Sequence, residues 1–210
     1  SPLVVREGAA ISGLWRDHRW RVIGIAALSP LSYILILIAL RTGEVTLARA
    51  AYERLIATHP GVPLLRYLHA KVLTQADAPR AALAEYQRAL ELGIDQAEET
   101  LVCMAHLHSA LHESARAEVL LRGAIERKPD YVPALFNLAT LVEERGERDE
   151  ALAFYERVIA LDPGFEQVFA RVAQLRRFEH ADDPLIRLML AELASPALSP
   201  TPLMAPSPKR

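Results

Sequence analysis

The chain has 210 residues, of which 51% are apolar and 24% are charged, and its formal net charge is −2. This composition is too hydrophobic for a disordered chain, and the near-neutral charge excludes the basic surface that marks nucleic-acid binding. The single cysteine, Cys103, excludes an internal disulfide, and a first residue, Ser1, that is not methionine favours a fragment or a processed form.

The first predicted element is a helix within a long apolar run. After an N-terminal flank, residues 1–21, there are 19 consecutive residues without a charge, residues 22–40. At about 1.5 Å per residue, a helix of this length nearly spans the ~30 Å hydrocarbon core of a bilayer. Trp15 and Trp20 lie just before the run, where interfacial aromatic residues are common. The pattern predicts a single-pass transmembrane helix over 22–40.

Two other interpretations of the apolar run stay open. One is a signal-type segment, and the other is a buried helix over 29–41 that belongs to a repeat array in the middle of the chain, with Ser29 as its N-cap. Residues 34–38 are apolar all round, whereas a helix at the end of a repeat array needs a polar face. This observation favours the membrane span.

Arginines flank the apolar run on both sides, with a slight excess upstream. Four lie upstream and three downstream: Arg6, Arg16, Arg19 and Arg21, then Arg41, Arg49 and Arg54. Because positive residues prefer the cytoplasmic side of a span, this excess places the remaining chain on the non-cytoplasmic, periplasmic side.

A repeat occupies the middle of the chain. The same residue type recurs 34 positions later in several pairs: Ala117 and Ala151, Leu101 and Leu135, Ala105 and Ala139, and Pro129 and Pro163. The clearest units are 98–131 and 132–165, each predicted as an apolar helix, a turn, and a second helix that ends before proline. Ala82 precedes Ala117 by 35 residues, so we expect one extra residue in the loop near Gly93.

Small residues and a glycine define the geometry expected within a unit. Ala139 and Ala151 fall where the two helices of the unit 132–165 should cross, so that larger side chains would push the helices apart. Gly146 falls at the end of the first helix, where a left-handed residue is needed.

These residues resemble the tetratricopeptide repeat family. The resemblance rests on Asn137-Leu138-Ala139, Gly146, Asp149-Glu150-Ala151, Tyr155 and Leu161-Asp162-Pro163. It covers residues 43–177 and implies an all-α fold, a TPR-type α-solenoid of about three or four helix-turn-helix repeats. It implies a protein that binds a protein or peptide partner, without catalysis and without a cofactor.

The resemblance also implies a binding surface. In this family, partner peptides lie in a concave groove lined by the outward residues of the first helices. The corresponding positions here are Glu99, Val102, His106, Ser109, Phe136, Asn137, Thr140, Glu143 and Glu144. Family members that clamp a terminal carboxylate use lysine, arginine and asparagine, of which only Asn137 is matched. We therefore expect a partner with an apolar or basic segment.

Neither a metal site nor a catalytic site is predicted. Cys103, His106, His108 and His112 are close in sequence, but on a helix their pairs point in different directions, whereas a metal needs three or four converging ligands. No nucleophile stands at a spacing that would bring a general base beside it.

The repeat ends at Arg177, where a different pattern begins. Asp182, Asp183 and Pro184 are typical of a helix start, which predicts a capping helix over 182–194, and the proline-rich tail 195–210 is predicted to be disordered. Phe178, residues 182–186 and residues 196–199 resemble the junction that precedes the sulfotransferase domain in certain bacterial repeat proteins.

The sequence supports two functional hypotheses. The first is a membrane-anchored tetratricopeptide scaffold that mediates protein–protein interaction or the assembly of a complex. The alternative is the truncated N-terminal repeat region of a sulfotransferase-like enzyme. No glycine-rich phosphate loop is present in the chain, so this alternative lacks the catalytic domain.

Overall fold

Helices account for all the regular structure that is described in this chain. The computed structural model describes residues 44–176, together with Ile186, Arg187 and Leu190, which are helical. The helices of residues 44–176 are α1 (Val45–Thr58), α2 (Pro63–Gln75), α3 (Pro79–Glu91), α4 (Ala97–Ala110), α5 (Ser114–Arg127), α6 (Val132–Glu144), α7 (Arg148–Leu161) and α8 (Glu166–Leu175). Over these residues there is no strand, which confirms the all-α expectation.

Several predicted segments lie outside the described residues. These are the flank 1–21, the apolar run 22–40, the tail 195–210 and most of the predicted capping helix 182–194. Within the described part of the chain, no helix combines the length and the apolar character that a membrane span requires.

The chain divides into two compact units between Thr100 and Leu101. In the N-terminal unit, α1 packs against α2 and α2 against α3. Pro63 and Pro79 lie in the first turns of α2 and α3, where proline is tolerated because the first helical N–H groups lack an intrahelical partner. The α1–α2 core is made of the buried residues Ala48, Tyr52, Leu55, Leu65 and Val72.

In the C-terminal unit, one apolar core runs from α4 to α8. The helices pack in chain order, α5 on α6, α6 on α7 and α7 on α8. The predicted crossing residues Ala139 and Ala151 are fully buried in this core, and Ala117 on α5 is equally buried. The small residues thus lie in the packed core that the helices share, as expected of crossing residues.

The turns between paired helices share one backbone conformation. Gly146 follows α6 with φ +93°, as predicted for the residue at a helix end. His112 and Asp77 occupy the equivalent positions after α4 and α2, with φ +60° and +53°. Each of these two residues is held in a left-handed conformation that favours glycine.

The structure also places the extra residue that breaks the 34-residue spacing. The connections 59–62, 128–131 and 162–165 join successive hairpins and have equal length, whereas the connection 92–96 is one residue longer. Gly93 lies in this longer loop with φ +76°, at the place predicted from the sequence.

Candidate functional site

The predicted binding residues of the C-terminal unit lie on α4 and α6. Three of them are exposed, namely His106, Ser109 and Glu144. Asn137 and Thr140 are half-buried. Val102 is only 8% exposed and belongs to the apolar core, so it does not line an open surface. We call the five accessible or half-accessible residues the first-helix surface: His106, Ser109, Asn137, Thr140 and Glu144.

A hydrogen bond joins the two helices at the middle of this surface. His106 Nε2 lies 2.8 Å from the side-chain oxygen of Asn137. Because an amide oxygen can only accept, the ring nitrogen Nε2 carries the proton. The Asn137 amide nitrogen donates to the Pro133 carbonyl at 2.7 Å. Both ends of the Asn137 side chain are therefore engaged, and its orientation is fixed.

Glu143 lies in a hydrogen-bonded cluster at the end of α6. Tyr155 on α7 donates its hydroxyl proton to Glu143 Oε2 at 2.7 Å, and Thr140 Oγ1 lies 3.2 Å from the same hydroxyl. On the other side, Arg171 Nη1 on α8 lies 3.5 Å from Glu143 Oε1. Burial raises the pKa of the Tyr155 hydroxyl well above its usual range, and the Glu143 carboxylate raises it further. This tyrosine stays protonated and acts as a fixed donor.

Phe136 belongs to an aromatic cluster. Its ring centroid lies 4.9 Å from that of Phe165 and 5.7 Å from that of Tyr155, at tilted or edge-on angles. Such geometry is favourable for aromatic pairs. That Phe136 and Glu143 line a groove stays a prediction; the structure shows that both support the packing of α6 against its neighbours.

Glu99 lies in the N-terminal unit and has a partner there. Tyr67 on α2 donates its hydroxyl proton to the Glu99 carboxylate at the start of α4. The ammonium group of Lys71 lies 5.7 Å from the centroid of the Tyr67 ring, within the range of a cation–π contact.

The cysteine and histidines near α4 do not converge. Among the described residues, no three histidine, cysteine or acidic side chains are arranged to hold a metal ion. His108 Nδ1 instead lies 2.7 Å from Glu113 Oε2, across the turn after α4. Hydrogen bonds from His108 and then Arg116 lower the pKa of Glu113 below its usual value.

The sequence patterns did not identify two features of the structure. The first is Arg171, which lies 34 residues after Asn137, so that extending the repeat by one more unit would have placed it on the same surface. A second group lies in the N-terminal unit and consists of Arg66, His69 and Glu85. The repeat spacing places these residues at core positions, but it does not show that their side chains contact one another.

Comparisons with known proteins agree with the repeat pattern. Two family models, both described as tetratricopeptide repeat, match residues 33–97 and 110–176. Tetratricopeptide repeat protein 17 of Danio rerio is 31% identical to this chain over 94 residues, which are 44% of this chain. The chain spans 8% of the length of that relative.

Solved structures share the fold. The crystal structure of MamA protein superposes with a TM-score of 0.63 at 18% identity, covering 78% of this chain and 88% of that chain. YrrB, described as a TPR protein with an unusual peptide-binding site, gives a TM-score of 0.56 at 17% identity, covering 74% and 80%. MamA from Desulfovibrio magneticus RS-1 gives 0.61 at 13% identity, covering 71% and 85%.

At these identities the structural likeness concerns the fold alone. Sequence period, helix order and family matches nevertheless agree with one another over most of the described residues. The expectation of a TPR-type solenoid fold is confirmed, and this chain is a tetratricopeptide repeat protein.

Proposed function

We propose that this chain is a non-catalytic scaffold that binds a protein or peptide partner on the first-helix surface of its C-terminal unit. The observation that carries the proposal is the exposed His106–Asn137 pair, which places a hydrogen-bond donor and an acceptor side by side on two consecutive first helices. A peptide main chain offers the same donors and acceptors, so it can replace this internal bond with two bonds of its own. YrrB, which shares the fold, is described as having a peptide-binding site.

The charges on this surface favour one class of partner. Glu144 is exposed, whereas Glu143 is paired with Arg171. The five residues of the first-helix surface include no lysine or arginine, and Arg171, at the position of Asn137 in the next first helix, is paired with Glu143. A basic or neutral segment would gain from Glu144, and an acidic tail would be repelled.

Two exposed substitutions test this surface without disturbing the core. We expect His106→Ala combined with Glu144→Lys to lower the amount of captured partner at least tenfold, which corresponds to about 1.4 kcal/mol of binding free energy. The measurement is quantitative mass spectrometry of partners retained by wild type and variant. Both side chains are exposed to solvent, and the internal contact that is lost, the His106–Asn137 hydrogen bond, is itself exposed, so the thermal unfolding midpoint should change little.

The matched control lies on a second helix. Val119 on α5 is 71% exposed, and Val119→Ser should leave capture at the wild-type level. If the double variant retains its partners as well as wild type does, the binding face lies elsewhere on the molecule. Variants of Phe136 or Glu143 are unsuitable for this purpose because both residues support the fold.

We further propose that residues 22–40 anchor the scaffold in a membrane, with the repeats on the non-cytoplasmic side. The uncharged run and its flanking tryptophans support this proposal. The family match that begins at residue 33 supports the alternative, in which the end of the run belongs to a repeat helix.

Replacing Ile36 and Leu37 by lysine distinguishes the two interpretations. A transmembrane helix with two central lysines should fail to insert, so that the chain moves from the carbonate-washed membrane fraction to the supernatant. If wild type is itself in the supernatant, there is no anchor. Protease added to the non-cytoplasmic side of intact membranes should cleave the repeats if the proposed orientation is correct.

The sulfotransferase-like alternative depends on the gene sequence downstream of residue 210. A reading frame there that encodes a strand, a glycine-rich phosphate loop and a helix would favour it. A stop codon or an unrelated sequence would leave the scaffold as the better hypothesis.

A further inference from the structure

One layer of the α2–α3 hairpin is polar where the later repeats are apolar. The equivalent positions of the next two repeats lie 35 residues later and then 34 residues after that. Arg66 on α2 corresponds to Leu101 and Leu135, His69 on α2 to Met104 and Leu138, and Glu85 on α3 to Leu120 and Phe154. Three apolar positions are thus occupied together by polar side chains, which we call the α2–α3 polar cluster.

Only part of this cluster is satisfied by its own contacts. Arg66 Nη1 donates to the two carboxylate oxygens of Glu85 at 3.2 and 3.0 Å. The side chain of His69 is 9% exposed, and its Nδ1 lies 3.7 Å from Glu85 Oε2, which is too long for a hydrogen bond. Neither ring nitrogen of His69 has a hydrogen-bond partner among the described residues.

Charged groups from three helices act on the buried imidazole. Glu85 lies on α3, Arg66 precedes His69 by one turn on α2, and Glu53 and Arg49 lie on α1. Burial lowers the pKa of His69 below its ordinary value, and this effect outweighs the attraction of Glu85 and Glu53 for the protonated ring.

We propose that the α2–α3 polar cluster makes the packing of the N-terminal helices sensitive to pH, with His69 as the group whose protonation loosens them. The folded hairpin holds the neutral ring, because a second buried cation beside Arg66 lacks hydrogen bonds to compensate its lost hydration. The unfolded chain imposes no such restriction on the ring.

The direction of the pH effect is set by this difference. The cluster contributes its full stability above the pKa of an unfolded histidine, about 6.5. As the pH falls through this value towards the lower pKa of the folded hairpin, the unfolded state takes up a proton that the folded state resists. The opening equilibrium then rises with acidification, by at most about tenfold per pH unit for a single proton.

Hydrogen exchange of the full chain at pH 7.5 and pH 5.5 tests the proposal. After correction for intrinsic exchange rates, the opening equilibrium of α2 and α3 amides should rise severalfold at the lower pH. In His69→Met, which introduces the residue type of position 104, the rise should vanish. The control His112→Asn removes an exposed histidine in a turn and should keep the wild-type response. An unchanged rise in His69→Met, or no rise in wild type, would overturn the proposal.

A second measurement needs no variant. The carbon-bound protons of the His69 ring can be followed by NMR through a pH titration of the wild-type chain. A midpoint below that of an unstructured histidine supports the proposal. A midpoint at or above that value would mean that Glu85 and Glu53 dominate, and the proposal would then be wrong.

Discussion

Replacing Tyr155 by alanine is expected to lower the free energy of unfolding of the C-terminal unit by about 3–5 kcal/mol, the range for deleting a large buried aromatic ring. Tyr155 is fully buried, and its ring packs against that of Phe136. The variant would lose these apolar contacts and leave a cavity between α6 and α7. It would also remove the hydroxyl that donates to Glu143.

The variant Tyr155→Phe separates the ring from the hydroxyl. It keeps the apolar volume and removes the hydroxyl, with its bond to Glu143 and its 3.2 Å contact with Thr140, so we expect a loss of about 1 kcal/mol. The Glu143 side chain is 17% exposed, and water can partly replace the lost donor. The two variants should therefore differ by at least about 2 kcal/mol.

Urea denaturation combined with hydrogen exchange of α6 and α7 amides measures this loss in the unit that carries it. Hydrogen exchange at individual helices is needed because repeat proteins can unfold in parts. A single unfolding transition of the whole chain could average the stabilities of both units. A loss below about 1 kcal/mol for Tyr155→Ala would mean that α6 and α7 pack adequately without this ring.

The fold was predictable because its determinants repeat. Small residues at 117, 139 and 151 and proline after the second helices each encode a local requirement and recur at a fixed spacing. Gly146 encodes the conformation of a turn. The one irregular spacing, 35 residues between Ala82 and Ala117, was also predictable, because an extra residue between two helices must lie in the loop that joins them. His112 and Asp77 show that the turn conformation persists where glycine is absent.

The candidate binding surface was only partly predictable, because the repeat spacing gives a residue's position but not its contacts. Val102 and Phe136 occupy equivalent positions in successive repeats, yet the valine is buried and the phenylalanine joins an aromatic cluster. Glu143 and Glu144 are adjacent in sequence, but only Glu143 reaches Tyr155 and Arg171. Such pairings depend on side-chain rotamers and on neighbours 12 to 28 residues away.

The second large effect is expected from overpacking, in Ala151→Leu. Ala151 is fully buried in the core that α6 and α7 share, and Ala82 and Ala117 are equally buried at the equivalent positions. The larger side chain at this site forces off-rotamer neighbours or a backbone shift, which typically costs about 1–3 kcal/mol. Ala139→Leu, on the facing helix, should have an effect of the same size.

Ala153→Leu provides the matched control, since it makes the same change on the exposed face of α7. Leucine and alanine have similar helix propensities, so its free energy of unfolding should stay within about 0.5 kcal/mol of wild type. A small loss for Ala151→Leu, equal to that of the control, would mean that the helices can separate without penalty and that small residues are not required at the crossing.

The same pair of variants connects packing to binding. If Ala151→Leu displaces α6 by as little as about 1 Å, His106 on α4 and Asn137 on α6, whose polar atoms are 2.8 Å apart, lose the spacing at which one peptide main chain could bond both side chains. Partner capture should then fall in Ala151→Leu and persist in Ala153→Leu, although neither substitution lies on the first-helix surface. Capture that survives a confirmed shift of α6 would show that the partner does not depend on the His106–Asn137 pair.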